Sequence, residues 1–353
     1  MSHSTWSVYR LLFVLSLSNN LILSIKEDDM AIKRSELIDS ENAGYYHLIT
    51  RCVRRAFLCG VDKETGRSYE HRRRWIEERI LALADIFSIE MYAYSVMRNH
   101  YHLVVYSDPL APQRWSDFEV AERWLKLYPG KLNNPKFRLQ RELRLKAIVD
   151  DKARLAEYRS RLGSISWLMR CINEPIAKHS NQEDFVKGHF WESRFTSQAL
   201  LDEAAAITCM AYVDLNPIRA GLTDKLEESD LTGIKKRIET MSSESLNHAI
   251  TALAGQVRER TMTIKLKEYI ELVEWTGQYV SHPDKAKIPY HLISIFERLN
   301  LNHNNWLNQV KQYGLNYYRA VGPIDCVKLY AERVKLKWLK GIKNIRSLYL
   351  STS

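Results

Sequence analysis

A hairpin that this chain can hardly avoid lies between residues 89 and 106. Ile89 to Met97 and His100 to Tyr106 are both rich in aromatic and β-branched residues, and only Arg98 and Asn99 separate them. Two residues are too few for a crossover, so the strands must be antiparallel neighbours, with Asn99 able to take a positive φ in the turn. Side chains alternate along a strand. His100, His102 and Val104 therefore share one face, and Tyr101, Leu103 and Val105 share the other, which is apolar enough to meet a core. Two imidazoles two residues apart on one pleat can hold a divalent metal. They can equally be ordinary sheet histidines, and the hairpin alone does not choose.

The flanking pattern extends the hairpin into a domain. Tyr45 to Val53 is a strand ending in Arg51, with Arg54 and Arg55 just beyond. A helix from Tyr69 to Phe87 buries Ile76, Ile80, Leu83, Ala84 and Phe87 on one stripe. It begins with His71-Arg72-Arg73-Arg74, a solvated face that is also suited to phosphate. After the hairpin, residues 108–163 are a charged, helix-like insertion with Trp115, Phe118, Trp124 and Leu125 and a basic run from Lys136 to Lys146. An amphipathic helix resumes from Ser164 to His179, with Pro175 expected to kink or end it. A fourth strand begins near Gly188 and runs to Ala199. Asp202 then caps a helix continuing through Leu215. The order strand, helix, strand, strand, helix, strand, helix predicts an α+β fold. It is a ferredoxin-like antiparallel four-stranded sheet with helices on one face. The open face is then a natural seat for single-stranded nucleic acid.

Beyond Leu222 a polar stretch and a joint at Met241 to Ser245 lead into residues 246–353, which read as helical throughout. Helices are expected at 268–280, 289–299, 306–318 and 326–339. Met1 to Asp29 is too polar for a membrane span and has no small-x-small cleavage site, so translation from Met30 is the expectation. The net charge of +10 on 353 residues favours a polyanionic partner, nucleic acid before membrane. Five scattered cysteines with no Cys-x-x-Cys argue against a disulfide framework or structural zinc, and a reducing cytoplasm fits them.

The helix near residue 212 bears on the histidines. In Tyr212-Val-Asp-Leu-Asn216-Pro217, Tyr212 and Asn216 are four apart and share a helix face. A tyrosine can act as a covalent nucleophile on a phosphodiester that a metal polarises. An amide oxygen from Asn216 would suit a hard cation, Mg²⁺ or Mn²⁺, as third ligand. Asn216 can also simply cap the helix before Pro217.

These residues resemble a known family. His100-Tyr101-His102 looks like the HUH motif, and Asn99 to Val104 is similar to the signature of the single-tyrosine HUH transposases of bacterial insertion sequences. Gly188-x-x-Trp191-x-x-Arg194-Phe195 and Tyr212-x-x-x-Asn216-Pro217-x-Arg219-Ala220-Gly221 match the family's later blocks. The last is especially like the REP-associated tyrosine transposases. The resemblance covers residues 42–222. It implies Tyr212 as nucleophile, His100 and His102 as metal ligands and Asn216 at the third-ligand position. It also implies cleavage of single-stranded DNA beside a hairpin, through a 5′-phosphotyrosine link and a free 3′-OH. Arg51, Arg54, Arg55, Arg72, Arg73, Arg194 and Arg219 are the candidate DNA contacts. A cytoplasmic protein working at the nucleoid follows, either a monomer or a homodimer whose tyrosine helix completes the partner subunit's site. Arg98 stands where many relatives have proline, and the insertion and C-terminal region are longer than in minimal members. A cupin would need many more short strands, and a histidine triad would need a histidine where Val104 stands. The alternative of another class is a domesticated, non-catalytic binder of DNA or RNA hairpins.

Overall fold

The computed structural model describes residues 37–53, 59–61, 66–128, 134–255, 260–280, 286–316, 319–335 and 341–350. Arg54, Arg55 and the 1–29 extension lie outside them.

The hairpin forms where expected, with β2 (Ile89–Val96) and β3 (His100–Ser107) antiparallel. The turn closes with the Met97 N–H donating to the His100 carbonyl at 2.8 Å. Neither Arg98 nor Asn99 takes a positive φ, so the tolerance of Asn99 is not used. β1 (Gly44–Arg51) lies beside β3, pairing Arg51 with His100 and Ile49 with His102. β4 (Thr196–Leu200) flanks β1 on its other side, with Gln198 opposite His47. The 188–195 stretch, expected as part of that strand, is irregular. It is held by Val53 N–H donating to Phe190 O and Glu192 N–H to Arg51 O.

The sheet departs from the expected four antiparallel strands. β5 (Ala320–Val321), from the C-terminal region, adds to β4 in parallel and makes a mixed five-stranded sheet, order β2-β3-β1-β4-β5. Nor are the helices confined to one face. α1 (His71–Ala84) packs on α5 (Ile165–Glu183) over the Tyr101 face, where Tyr101 Oη donates to Asn173 Oδ1 at 2.6 Å and Asn173 Nδ2 to Thr50 Oγ1 at 3.3 Å. The other face is covered by α6 (Glu203–Asp214), which lies across β1 to β4. Every residue of α6 from Ala204 to Asp214 is buried. A helix apolar almost all round must be enclosed on every side. Its outer side meets α11 (Trp306–Lys311) of the C-terminal region, so no open sheet face remains for nucleic acid there.

Three helices, α2 (Asp117–Leu127), α3 (Arg138–Asp150) and α4 (Lys152–Leu162), form the insertion and pack on one another. Pro175 does not end α5. Lacking an N–H, it leaves the Cys171 carbonyl without its helical donor, and Arg79 Nε supplies one at 3.1 Å. α6 begins as expected, with the Asp202 carboxylate accepting from Ala205 N–H at 2.8 Å. A short turn of helix, α7 (Asn216–Arg219), follows Leu215, and α8 (Gly233–Thr240) and α9 (Leu266–Tyr279) come next. α10 (Tyr290–Arg298) and α13 (Ile324–Arg333) lie close to expected ranges, the expected 306–318 helix is split into α11 and α12 (Tyr313–Asn316), and α14 (Ile342–Leu348) falls beyond the last expected helix. Among the described residues no helix is long and apolar enough to cross a membrane.

The free edge of β2 is covered by two later segments. Val96 N–H donates to Leu231 O, and Met91 N–H to Ala254 O at 2.8 Å. Gly255 follows at φ +79°, where a Cβ would overlap the Ile89 carbonyl oxygen and lie 2.9 Å from that of Ala84. Both contacts are backbone and cannot swing away. Gly255→Ala is expected to cost about 2–4 kcal/mol, through the left-handed φ and the clash together. Urea denaturation measures it, and an unchanged midpoint would show that this edge cover yields freely.

Candidate active site

Strand alternation brings His47, His100 and His102 onto the face that α6 covers. His47 Nε2 lies 2.9 Å from His102 Nδ1, with the two rings stacked at 5.1 Å between centroids. The His100 and His102 rings are 4.9 Å apart, and His100 Nδ1 donates to Asn99 Oδ1 at 2.7 Å. Tyr212 meets the same cluster from α6, 5.7 Å from the His102 ring and 6.0 Å from the His47 ring. Helical spacing then places α7 beside it. The Arg219 guanidinium lies 4.5 Å from the Tyr212 ring centroid, and its Nη1 donates to Asn216 Oδ1 at 3.4 Å.

Asn216 does not cap the helix that precedes it, since the C-cap of α6 is Leu215 and Asn216 opens α7. Its Nδ2 is buried and has no hydrogen-bond partner among the described residues. A buried amide left half-satisfied is costly in a merely structural position.

The histidines are held neutral. Burial holds the His47 imidazole down at about 4, against the smaller opposing effect of the Gln198 side chain. Burial and then the Arg51 charge hold His100 at about 3. His102 is pushed well below the ordinary range by burial first, then by its histidine neighbours, Arg219 and Arg51. Neutral imidazoles keep a lone pair for a cation. With Nδ1 of His100 and of His102 each engaged, Nε2 is the nitrogen left for it, the usual division between ligand and support. Among the described residues no group of three or more His, Cys, Asp and Glu is placed to hold a metal. A cation here would take two imidazoles, and the Asn216 amide oxygen fits the chemistry of a third position.

Acid stability follows from those shifts. The unfolded chain binds protons at histidine below about pH 6.5 that the folded chain refuses. His47 and His100 therefore lower stability as pH falls from about 6.5 toward about 4 and 3, and His102 acts in the same direction. Buried Asp214, raised to about 7, opposes them over part of that range, because the folded state keeps its proton. Three imidazoles outweigh one carboxyl, so a net loss of a few kcal/mol is expected between pH 6.5 and 4.5. Urea midpoints in wild type and His47→Gln check it, and the variant should lose less. Parallel curves would sink the assignment.

The predicted DNA contacts separate into groups. Arg51 is half-buried, opposite His100. Arg219 is half-buried in the site, and its Nη2 donates to Lys311 O at 2.9 Å. Arg194 is exposed. Arg72 is 0% exposed, and its guanidinium is taken up by Glu183 and Asp184. Arg73 is mostly buried, with Nε donating to Val96 O at 2.8 Å. Both act as internal ties. Trp191 is half-buried, its Nε1 donating to Asn173 O at 2.9 Å.

Three residues of the cluster escaped sequence reasoning. His47 shares its strand face with Arg51, but which strand lies beside it is a tertiary fact. Gln198 sits opposite His47 on β4. Tyr313, from α12, stacks on Tyr212 at 4.7 Å and 26°, and its Oη donates to Gln198 Oε1 at 2.8 Å. No local signal distinguishes Tyr313 from the chain's other tyrosines.

No family model and no curated protein matches the chain. Among solved structures, that of a REP-associated tyrosine transposase bound to a REP hairpin is similar over 63% of this chain and 92% of that one, at 12% identity and a TM-score of 0.33. So loose a superposition says nothing about individual residues.

Proposed function

We propose that this chain is a metal-assisted DNA strand transferase of the single-tyrosine HUH type, cutting single-stranded DNA beside a hairpin. The observation that carries the reading is the meeting of Tyr212, His100 with His102, and Asn216 with Arg219 in one cluster, buried at Tyr212, His102 and Asn216 and half-buried at His100 and Arg219. These residues are about a hundred positions apart in the chain, and packing alone has no need to join them. His100 and His102, with the Asn216 oxygen, would hold Mg²⁺ or Mn²⁺. When bound, the cation would draw charge from the phosphodiester oxygens. Tyr212 Oη would attack phosphorus as the P–O3′ bond breaks. The phenol gives up its proton, the departing 3′ oxygen gains one, and the 5′-phosphate stays on the tyrosine for transfer. Arg219, over the tyrosine ring, would stabilise the phenolate and steady the scissile phosphate. Arg51 and Arg194 would contact the DNA backbone.

One observation favours the non-catalytic hairpin binder. Tyr212 is only 4% exposed, between Tyr313 and Arg219. A phenol so enclosed reaches a phosphate only after Tyr313 moves aside. The test is to incubate the protein with end-labelled single-stranded DNA carrying a hairpin and flanks, with Mn²⁺ and with chelator. The transferase reading expects a denaturation-resistant protein–DNA adduct that chelation removes. Retarded hairpin without adduct would establish the binder instead.

A further inference from the structure

We infer that His47 is a positioning residue that sets the tautomer and the aim of His102, and that Gln198 and Tyr313 set His47 in turn. This rests on the metal site proposed above. The observations form one continuous chain. Tyr313 Oη donates to Gln198 Oε1 at 2.8 Å, Gln198 lies directly opposite His47 across β1 and β4, and His47 Nε2 meets His102 Nδ1 at 2.9 Å. All four side chains are buried, with His47 2% exposed. Water therefore does not compete for these contacts.

The direction of the chain follows from the chemistry of its far end. In this arrangement the Gln198 oxygen, which accepts from Tyr313, has a second lone pair to accept a ring N–H of His47, its cross-strand neighbour. Nε2 faces His102, so that N–H is on Nδ1, and Nε2 keeps its lone pair. His102 must then donate from Nδ1, which leaves the lone pair on its own Nε2. That is the form a metal needs. His100 reaches the same form by a shorter route, donating from Nδ1 to Asn99 Oδ1 at 2.7 Å. The two ligands are thus prepared alike, one by a turn residue and one by a relay that begins in the C-terminal region. Supports of this kind are worth about 10- to 100-fold in metal affinity. The relay also gives the C-terminal helices a part in the site, because Tyr313 both stacks on Tyr212 and starts the chain.

The test is Mn²⁺ affinity of the full-length protein without DNA, read by electron paramagnetic resonance. It compares wild type with His47→Leu, His47→Gln, Gln198→Leu and the double variant His100→Ala/His102→Ala, with circular dichroism to verify folding. A glutamine carbonyl can accept from His102 Nδ1–H where Nε2 did, whereas leucine of similar size cannot. His47→Leu is expected to bind Mn²⁺ about 10- to 100-fold more weakly, with His47→Gln restoring affinity to within a few-fold of wild type. Should His47→Leu fail to fold, Gln198→Leu carries the question, with an expected loss of several-fold. Wild-type affinity in a folded His47→Leu, or in Gln198→Leu where that stands in, would overturn the inference and leave the metal site standing. Equal losses in His47→Leu and His47→Gln would overturn it too, since a purely structural role ignores the acceptor. Binding by wild type no tighter than by the double histidine variant would remove the metal site itself, and the inference with it.

Discussion

Tyr212→Phe is expected to abolish the covalent protein–DNA adduct and leave the fold intact. The substitution removes one oxygen from a ring that is stacked on Tyr313 at 4.7 Å and covered by Arg219 at 4.5 Å. Both contacts survive, because each uses the ring and not the hydroxyl. No hydrogen bond of the Tyr212 hydroxyl is formed among the described residues, so its loss leaves no partner stranded. The stability change should stay within about 1 kcal/mol. Loss of a nucleophile, by contrast, removes the covalent route entirely, and adduct formation should fall by at least about 10⁴-fold. Gel mobility under denaturing conditions reads the adduct, and a thermal melt verifies the fold. An adduct undiminished in Tyr212→Phe would move the nucleophile elsewhere. Intact hairpin binding with no adduct in wild type would make Tyr212 a packing residue of a binder.

Arg72→Ala is expected to destabilise the fold by about 2–4 kcal/mol without changing the salt dependence of DNA binding. Sequence reasoning offered Arg72 as a phosphate contact, but the side chain is 0% exposed. Its Nε donates to Glu183 Oε2 at 2.8 Å and its Nη1 to Asp184 Oδ2 at 3.1 Å, and its guanidinium lies 4.2 Å from the Tyr69 ring centroid. The group ties the start of α1 to the end of α5. Truncation leaves a void and two acids without their main counter-charge. Glu183 keeps Arg67 and His71, which holds the loss below that of a fully isolated buried charge. Urea midpoints measure the stability. If the midpoint held while the salt slope of hairpin binding fell by about one, Arg72 would be a DNA contact after all.

How legible the molecule was depended on range. The β2–β3 hairpin, the Asp202 cap and the stripe of α1 were readable because each depends on residues a few positions apart. Pro175 did not end its helix, because the proline's effect is local only until another element intervenes. Arg79, from α1, supplies the donor that the proline denies to Cys171. The open sheet face failed for a similar reason. Alternation in β3 distinguishes the two faces without saying which is covered, and the histidine face proved to carry α6. The all-round apolarity of Ala204 to Asp214 was the available signal, since such a helix must be enclosed.

For the site itself the division is sharp. By itself the sequence determined that His100 and His102 share a pleat and that Tyr212 and Asn216, four apart, share a helix face, because periods of 2 and 3.6 are properties of the backbone. Only the tertiary structure decided that these two sets meet. It alone brought His47, Gln198 and Tyr313 against them, and it closed α6 between the sheet and the C-terminal helices. Residues 47, 102, 198 and 313 are joined by strand order and by burial of apolar surface, neither of which any short stretch of chain encodes.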